Sequence, residues 1–388
     1  MNGGTADDVA IGEDGPVLGI IGGGQLGRML AEAAAPLGVE VVVADPTPDC
    51  PAAAVAREQV AGGFQDREAI AAVAERADVL TYEIELVDPD ALASVAEAAG
   101  VAVQPSPEAL RITGDKLAEK RHLEAAGVPV PAFRAVDEEA DLEAAFDALG
   151  RPLMLKARRG GYDGRGNVPV GDVDEAADEL GGLSGLIAEE LVGFDRELSV
   201  IGVRGASEIA TFPAGENRHE AEILRETVAP ASGDAVVERA DSVARSVLEV
   251  LDGRGVFGVE LFEVDGEVLV NEIAPRPHNS GHYTIEGALT SQFAQHVRAV
   301  LGWPLGSTAL RGPAVTANVL GNGSARPARL NGVGAVLRTP GASLHWYGKR
   351  EVRPLRKMGH VTCVPAEDEE RDELLASARE LVEGLSFA

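Results

Sequence analysis

"GPVLGIIGGGQLGRML", residues 15–30, reads as a buried strand, a glycine turn and the first turns of a helix. Gly22, Gly24 and Gly27 satisfy the G-x-G-x-x-G spacing, which gathers backbone amides at the positive end of a helix and suits a phosphate. In a dinucleotide enzyme an acid about 20 residues further on binds a ribose hydroxyl. Asp45, 18 residues past Gly27 at the end of the next strand-like run, stands at that spacing. The same residues also read as a tight βα turn whose glycines allow close packing. The loop alone therefore leaves NAD binding, another phosphate ligand and a purely structural turn open.

Working outward, "VLGII" (17–21), "VEVVVAD" (39–45), "DVLTYEIE" (78–85) and "VAVQP" (101–105) are strand-like, with helix-spaced segments between them. Strands alternating with helices argue a parallel sheet wrapped by helices, a Rossmann-like α/β domain over residues 16–112. Residues 1–15 read as a flexible acidic tail. Beyond Pro105 the texture changes. "TGDKLAEKRHLEAAG" is a capped helix and "RPLMLKARR" a strand, followed by the glycine-rich loop "GGYDGRGN" (160–167). "DRELSVIGVRG", "SEIATFPAGEN", "GVFGVELFEVDG" and "EVLVNEIAPR" read as antiparallel strands, with Asp265-Gly266 as a hairpin turn. A helix is expected over 236–252 and a last one over 366–384. We expect an α+β central domain over 113–300 and a small β-rich carboxyl-terminal unit over 301–388.

The chain of 388 residues carries 34 basic against 63 acidic side chains, a net charge of −29. Such a surface repels nucleic acid phosphates. It also repels itself at low salt and is screened at high salt, which points to a high-salt cytoplasm. No apolar run approaches the about 20 residues that span a bilayer. The start lacks the basic-then-apolar order of a secretory signal. Two cysteines, Cys50 and Cys363, are too few for a disulfide framework or a zinc site. The expected location is cytoplasmic, with no nucleic acid or membrane partner.

In so acidic a chain lysine is informative, and there are five: Lys116, Lys120, Lys156, Lys349 and Lys357. Lys156, in a strand beside the glycine-rich loop, suits a phosphate cradle, with Lys116 at a helix start nearby. Glu260 and Glu272 lie on adjacent strands, as Mg²⁺ requires when it bridges nucleotide phosphates. A plain two-residue turn at Asp265-Gly266 would set Glu260 opposite Asn271 and turn Glu272 to the other face. A shared metal therefore demands an irregularity, and we expect a G1 bulge at Gly266.

The segments "GGGQLGRM", "TYEIE", "GDK", "KARRGGYDGRGN", "NEIAPRPHNSGH" and "HWYGKREVRPLRKMGH" together resemble the ATP-grasp enzymes. The likeness is greatest to the branch that carboxylates 5-aminoimidazole ribonucleotide in purine biosynthesis, and it runs from about Val17 to the last helix. The resemblance implies an amino-terminal pre-ATP-grasp domain and a lid over about 125–192. It implies a ligase that consumes ATP and bicarbonate, with Mg²⁺ as cofactor and a homodimeric assembly. It implies Lys116 and Lys156 on the ATP phosphates, Glu189, Glu190, Leu191 and Val192 at the adenine, and Glu197 at the ribose. Glu260 and Glu272 become the metal ligands and Arg276 the group that holds bicarbonate or carboxyphosphate. Gln25, Tyr162, Arg165, His278, Asn279, Lys349 and Arg356 would contact the substrate nucleotide. His282 reads equally as a cavity residue and as a structural histidine. His219 stands in a family motif whose glycine-led turn is replaced here by Glu222. Two rival readings are a formate-dependent glycinamide ribonucleotide transformylase and an NAD-dependent oxidoreductase.

Overall fold

The run Val17–Ile21 (β1) is apolar on both faces, and it occupies the centre of a five-stranded parallel sheet. Glu40–Asp45 (β2) and Val79–Tyr82 (β4) flank it, with Glu58–Ala61 (β3) beyond β2 and Ala102–Val103 (β5) beyond β4. The strand expected over 78–85 stops at Tyr82. Glu83 and Glu85 therefore fall beyond the carboxyl end of the sheet, where open α/β sheets bind ligands. β3 escapes sequence reading because "EQVA" has no apolar run; pairing with β2 makes it a strand. The structure, a computed structural model, describes residues 11–12, 15–160, 166–180 and 182–388, with only the backbone of 176–179. Tyr162 and Arg165 lie outside the described residues, as does most of the 1–15 segment.

A four-stranded antiparallel sheet follows. It comprises Phe133–Val136 (β6), Leu153–Ala157 (β7), Asn167–Val170 (β8) and Leu186–Glu190 (β9), in the order β6-β9-β7-β8. Val136, Phe146, Leu155 and Ala188 form its core beneath the helix Glu139–Leu149.

The largest sheet has nine strands. Arg196–Arg204 (β10), Ile209–Thr211 (β11), Gly215–Glu220 (β12), Ile223–Ala229 (β13), Gly255–Val264 (β14) and Glu267–Ala274 (β15) precede residue 300. The strands 314–320, 357–363 and 342–346 extend it without a break beyond β13. Alternation gives the sheet two characters. Leu198, Val200, Val259, Leu261 and Val270 pack against the helix Asp234–Val250 through Ala240, Ala244, Val247 and Leu248. Glu197, Ser199 and Glu260 take the opposite face, since Ser199 pairs directly with Glu260. The last helix spans Arg371–Glu383, shorter than expected. The Glu369 carboxylate takes the Ala366 and Glu367 amides, and Glu370 starts the helix in a capping box with Glu373. Among the described residues no helix is long and apolar enough to cross a membrane.

Glu222 does not abolish the β12–β13 turn. Glu220 pairs with Ile223, leaving Ala221 and Glu222 as a two-residue turn with φ of +52° and +60°. Both occupy the left-handed region, where an L side chain is strained. Glu222→Gly is expected to stabilise the protein by about 0.5–1 kcal/mol, the relieved strain less the entropy glycine adds to the unfolded chain. Denaturant unfolding checks this, and a variant that unfolds earlier than its parent contradicts it.

Candidate active site

The glycine loop is occupied by the protein's own carboxylates. Asp45 accepts the Gly23 amide at 2.9 Å and the Thr47 amide at 2.8 Å. Glu83 accepts the Gly24 amide at 2.7 Å. A Cβ on Gly22 or Gly24 would come within 2.6 or 2.7 Å of the Glu83 side chain. These glycines make room for Glu83. This overturns the dinucleotide reading: the amides that would receive a pyrophosphate already donate to the side chains of Asp45 and Glu83, and Asp45 is a buried strand-end acid. Gln25, the first residue of the helix Gln25–Ala34, sits half-buried beside Gly24.

Burial raises the Glu83 carboxyl to about 7, against the hydrogen bond from Gly24. An acid raised on folding stabilises the native state below its unfolded pKa and loses that contribution as pH climbs through the folded value. Thermal stability is therefore expected to fall through this group between about pH 5 and pH 7. Glu83→Gln keeps the acceptor and should flatten that part of the profile. Melting curves of both proteins across this range check it; parallel profiles contradict it.

Asp115 caps the helix Lys116–Ala125, accepting from the Leu117 and Ala118 amides at 3.0 and 3.3 Å. Burial would raise its carboxyl, but the fork of Arg158, at 3.0 and 2.7 Å, outweighs this and holds it low. That fork ties the helix start to the end of β7. Lys116 then reaches Glu272 at 2.7 Å. Lys156, on β7, donates to Glu189 at 2.8 Å and to Asn271 Oδ1 at 3.2 Å. Lys120 lies 3.6 Å from the other Glu189 oxygen and donates to the Val270 carbonyl at 2.8 Å. Glu189 is thus a buried counter-ion between two lysines; burial raises it, and the two ammonium groups hold it below the usual carboxylate range. Glu190 turns the other way and accepts the Ala132 amide at 2.9 Å. Leu191 and Val192 continue from the end of β9, with Leu191 exposed.

The expected irregularity is present, but at a different place. Val264 pairs with Glu267 across Asp265 and Gly266, both at positive φ (50° and 79°), as a type I′ turn requires. There is no bulge at Gly266. Glu260 pairs with Glu272 and Leu261 with Val270, so Asn271 is the extra residue. The turn contributes an even count, and Asn271 supplies the odd one that sets both glutamates on the same face. Glu260 lies 2.9 Å from His278 Nε2. Burial opposes ionisation of Glu260, yet His278, His219 and Lys357 bring it down to about 2. Glu197 Oε2 lies 2.5 Å from His219 Nδ1. Burial lowers the His219 pKa, and Glu197 and Glu260 more than reverse this.

Arg276 is half-buried, 2.6 Å from Glu85 through Nη2. Burial disfavours its charge, but Glu85, Glu83 and Glu272 keep it protonated. Its Nε and the Asn279 Oδ1 are buried without a hydrogen-bond partner among the described residues. His278 is held by Gln292, which accepts its amide at 3.0 Å and donates to its carbonyl at 2.8 Å. His282 is fully buried and stacks on His360 at 4.6 Å, which stacks on His345 at 4.4 Å. Burial drives His282 well below its ordinary value, and its ring packs against Phe293 and Tyr347 as well as His360.

From the carboxyl-terminal segment, Lys349 donates to the Lys357 carbonyl at 2.6 Å and lies 5.5 Å from the Tyr347 ring centroid. Arg356 donates to the Glu351 carbonyl at 2.9 Å, and burial lowers its pKa. None of the five lysines is exposed, and Lys357 bears on both Glu260 and His219. Lysine rarity was the signal that could have placed Lys120 and Lys357 here. Glu83 and Glu85 lie in the "TYEIE" segment and Asn271 opens "NEIAPRPHNSGH", but neither segment announced these contacts, and Glu119 carried no comparable signal.

The donor set suits a hard cation. Glu260 and Glu272 face one another, and both are oxygen donors. Among the described residues no group of three or more His, Cys, Asp or Glu forms a protein-only cage. A Mg²⁺ ion here would complete its shell with phosphate oxygens and water.

Three families match the chain. A ribonucleotide synthetase pre-ATP-grasp domain matches residues 16–114, an ATP-grasp domain 121–293, and a phosphoribosylaminoimidazole carboxylase C-terminal domain 314–374. N5-carboxyaminoimidazole ribonucleotide synthase of Brucella melitensis is 43% identical over 357 residues, covering 90% of this chain and 96% of that protein. The crystal structure of N5-carboxyaminoimidazole ribonucleotide synthetase from Thermus thermophilus superposes with a TM-score of 0.84 at 44% identity, covering 94% and 98% of the two chains. That of N5-carboxyaminoimidazole synthase from Aspergillus clavatus, in complex with ADP and 5-aminoimidazole ribonucleotide, gives 0.87 at 37% identity, covering 95% and 99%.

Proposed function

This chain belongs to the N5-carboxyaminoimidazole ribonucleotide synthase family of ATP-grasp ligases, and from that premise we propose how its side chains divide the work. It is an ATP-dependent, ADP-forming ligase that carboxylates 5-aminoimidazole ribonucleotide in purine biosynthesis. The reading is carried by the facing of Glu260 and Glu272, brought about by the Asn271 bulge, with Lys116 at one carboxylate and His278 at the other. In this proposal these two glutamates hold Mg²⁺, which when bound neutralises charge across the triphosphate.

Lys116 and Lys156 place point charges at the phosphates. The segment Glu189–Val192 receives the adenine through its backbone, with Glu197 at the ribose. Bicarbonate is a poor electrophile, so its oxygen attacks the γ-phosphate and ADP leaves, forming carboxyphosphate; the substrate amine then takes the carboxyl group, with release of phosphate and the amine proton. Arg276, kept charged and fixed by Glu85, steadies that anion. Gln25, His278 and Asn279 contact the substrate nucleotide, the family resemblance assigns Tyr162 and Arg165 to the same substrate, and Lys349 and Arg356 take its 5′-phosphate. A lid over about 125–192 keeps carboxyphosphate from water. The net charge of −29 supports a high-salt cytoplasm as the working environment, and we propose a homodimer as the assembly.

ADP release tests the assignment. It is expected to require bicarbonate together with 5-aminoimidazole ribonucleotide, and to rise with salt. Release driven instead by formate with glycinamide ribonucleotide would overturn the substrate assignment. Full activity in dilute buffer would overturn the salt requirement.

A further inference from the structure

We propose that Glu119 and Lys120 are positioning residues that hold Glu272 opposite Glu260 by gripping the bulged edge of β15. The inference rests on the reading of that pair as a cation site. Lys116, Glu119 and Lys120 fall at i, i+3 and i+4, so they share one face of the helix Lys116–Ala125. That face grips β15 at three points. Lys116 reaches the Glu272 carboxylate at 2.7 Å, Lys120 donates to the Val270 carbonyl at 2.8 Å, and Glu119 accepts the Ile273 amide at 3.2 Å. Both Glu119 and Lys120 are 1% exposed.

β15 is the edge strand of its sheet, so its outer backbone groups have no neighbouring strand to pair with. Pro129 takes the Val270 amide at 2.8 Å, Lys120 the Val270 carbonyl and Glu119 the Ile273 amide. In a regular strand, residues three apart aim their backbone groups at opposite edges. Val270 and Ile273 are three apart, yet the same helix takes groups from both. The extra residue, Asn271, restores the parity that makes this possible. The grip therefore fits the bulged register, in which both glutamates share a face, and not the regular one, in which they part. Lys156 adds a further hold on the bulge through the Asn271 side chain.

Binding of Mn²⁺ to the full chain in the presence of a non-hydrolysable ATP analogue, read by electron paramagnetic resonance of the free ion, tests this without turnover. Glu119→Leu and Lys120→Met are each expected to weaken Mn²⁺ binding about tenfold or more, as loss of a ligand-orienting partner does. Glu119→Gln keeps the acceptor oxygen and should bind within about twofold of the parent. The KM for 5-aminoimidazole ribonucleotide should stay unchanged in all three, which a general loosening of the fold would not allow. If Glu119→Leu does not fold, Glu119→Asp, whose shorter side chain withdraws the acceptor, replaces it. Glu272→Gln separates the two levels of inference. If it binds Mn²⁺ like the parent, the cation reading of the pair is overturned. If it loses Mn²⁺ while the Glu119 and Lys120 variants retain it, the positioning role alone is overturned.

Discussion

Glu272→Ala is expected to lower kcat for ADP release by about a thousandfold while leaving the protein folded. The Glu272 side chain is about half exposed, and its recorded ion pair is with Lys116, so its loss removes little packing. Function is more exposed to the change. Glu260 would lose its facing carboxylate, and the Lys116 ammonium would lose its ion-pair partner. Burial disfavours the charged form of Lys116, and Glu272 is the largest of the influences that restore it. The variant thus disturbs both the facing glutamate pair proposed to hold the cation and the lysine proposed for the phosphates. Steady-state ADP release with saturating 5-aminoimidazole ribonucleotide measures the effect. A kcat within about tenfold of the parent would remove Glu272 from the assigned chemistry.

Lys349→Ala is expected to fail differently. A charge-assisted hydrogen bond to a phosphate dianion contributes about 1.5–3 kcal/mol, so the KM for 5-aminoimidazole ribonucleotide should rise about 10- to 100-fold. Its kcat should stay within about threefold, and the KM for ATP should not move, because the contact is with a part of the substrate remote from the reacting atoms. Lys349 is anchored at the Lys357 carbonyl and beside the Tyr347 ring, in the connection that follows the strand 342–346 of the large sheet. Glu272, on β15, lies at the opposite end of that sheet's strand order, and Lys116 reaches it from the helix Lys116–Ala125. Equal losses of ATP affinity in Lys349→Ala and Glu272→Ala would contradict the separation of the two subsites.

Much of this was legible in the residues themselves. Alternating apolar strands and helix-spaced alanines announce the parallel sheet, and Asp115 before Lys116 announces the capped helix. Positive-φ residues at Asp265-Gly266 make the hairpin local, and the chain's preference for arginine singled out five lysines, none of which proved exposed. These features depend on residues within a few positions of one another, which is the range over which propensity, capping and turn chemistry act.

Tertiary structure decided the rest. Whether a glycine loop holds a phosphate depends on what else reaches its amides, and Glu83 does so from 59 residues away. The placement of the β14–β15 bulge at Asn271, not Gly266, rests on contacts at Val270 and Ile273 from a helix about 150 residues earlier. The junction of the carboxyl-terminal strands with the large sheet depends on pairing of β13 with residues 314–317. Register and backbone satisfaction are settled by groups that meet only once the chain has folded. Local pattern can therefore demand a bulge between Glu260 and Glu272, and only the packing around β15 can say where it falls.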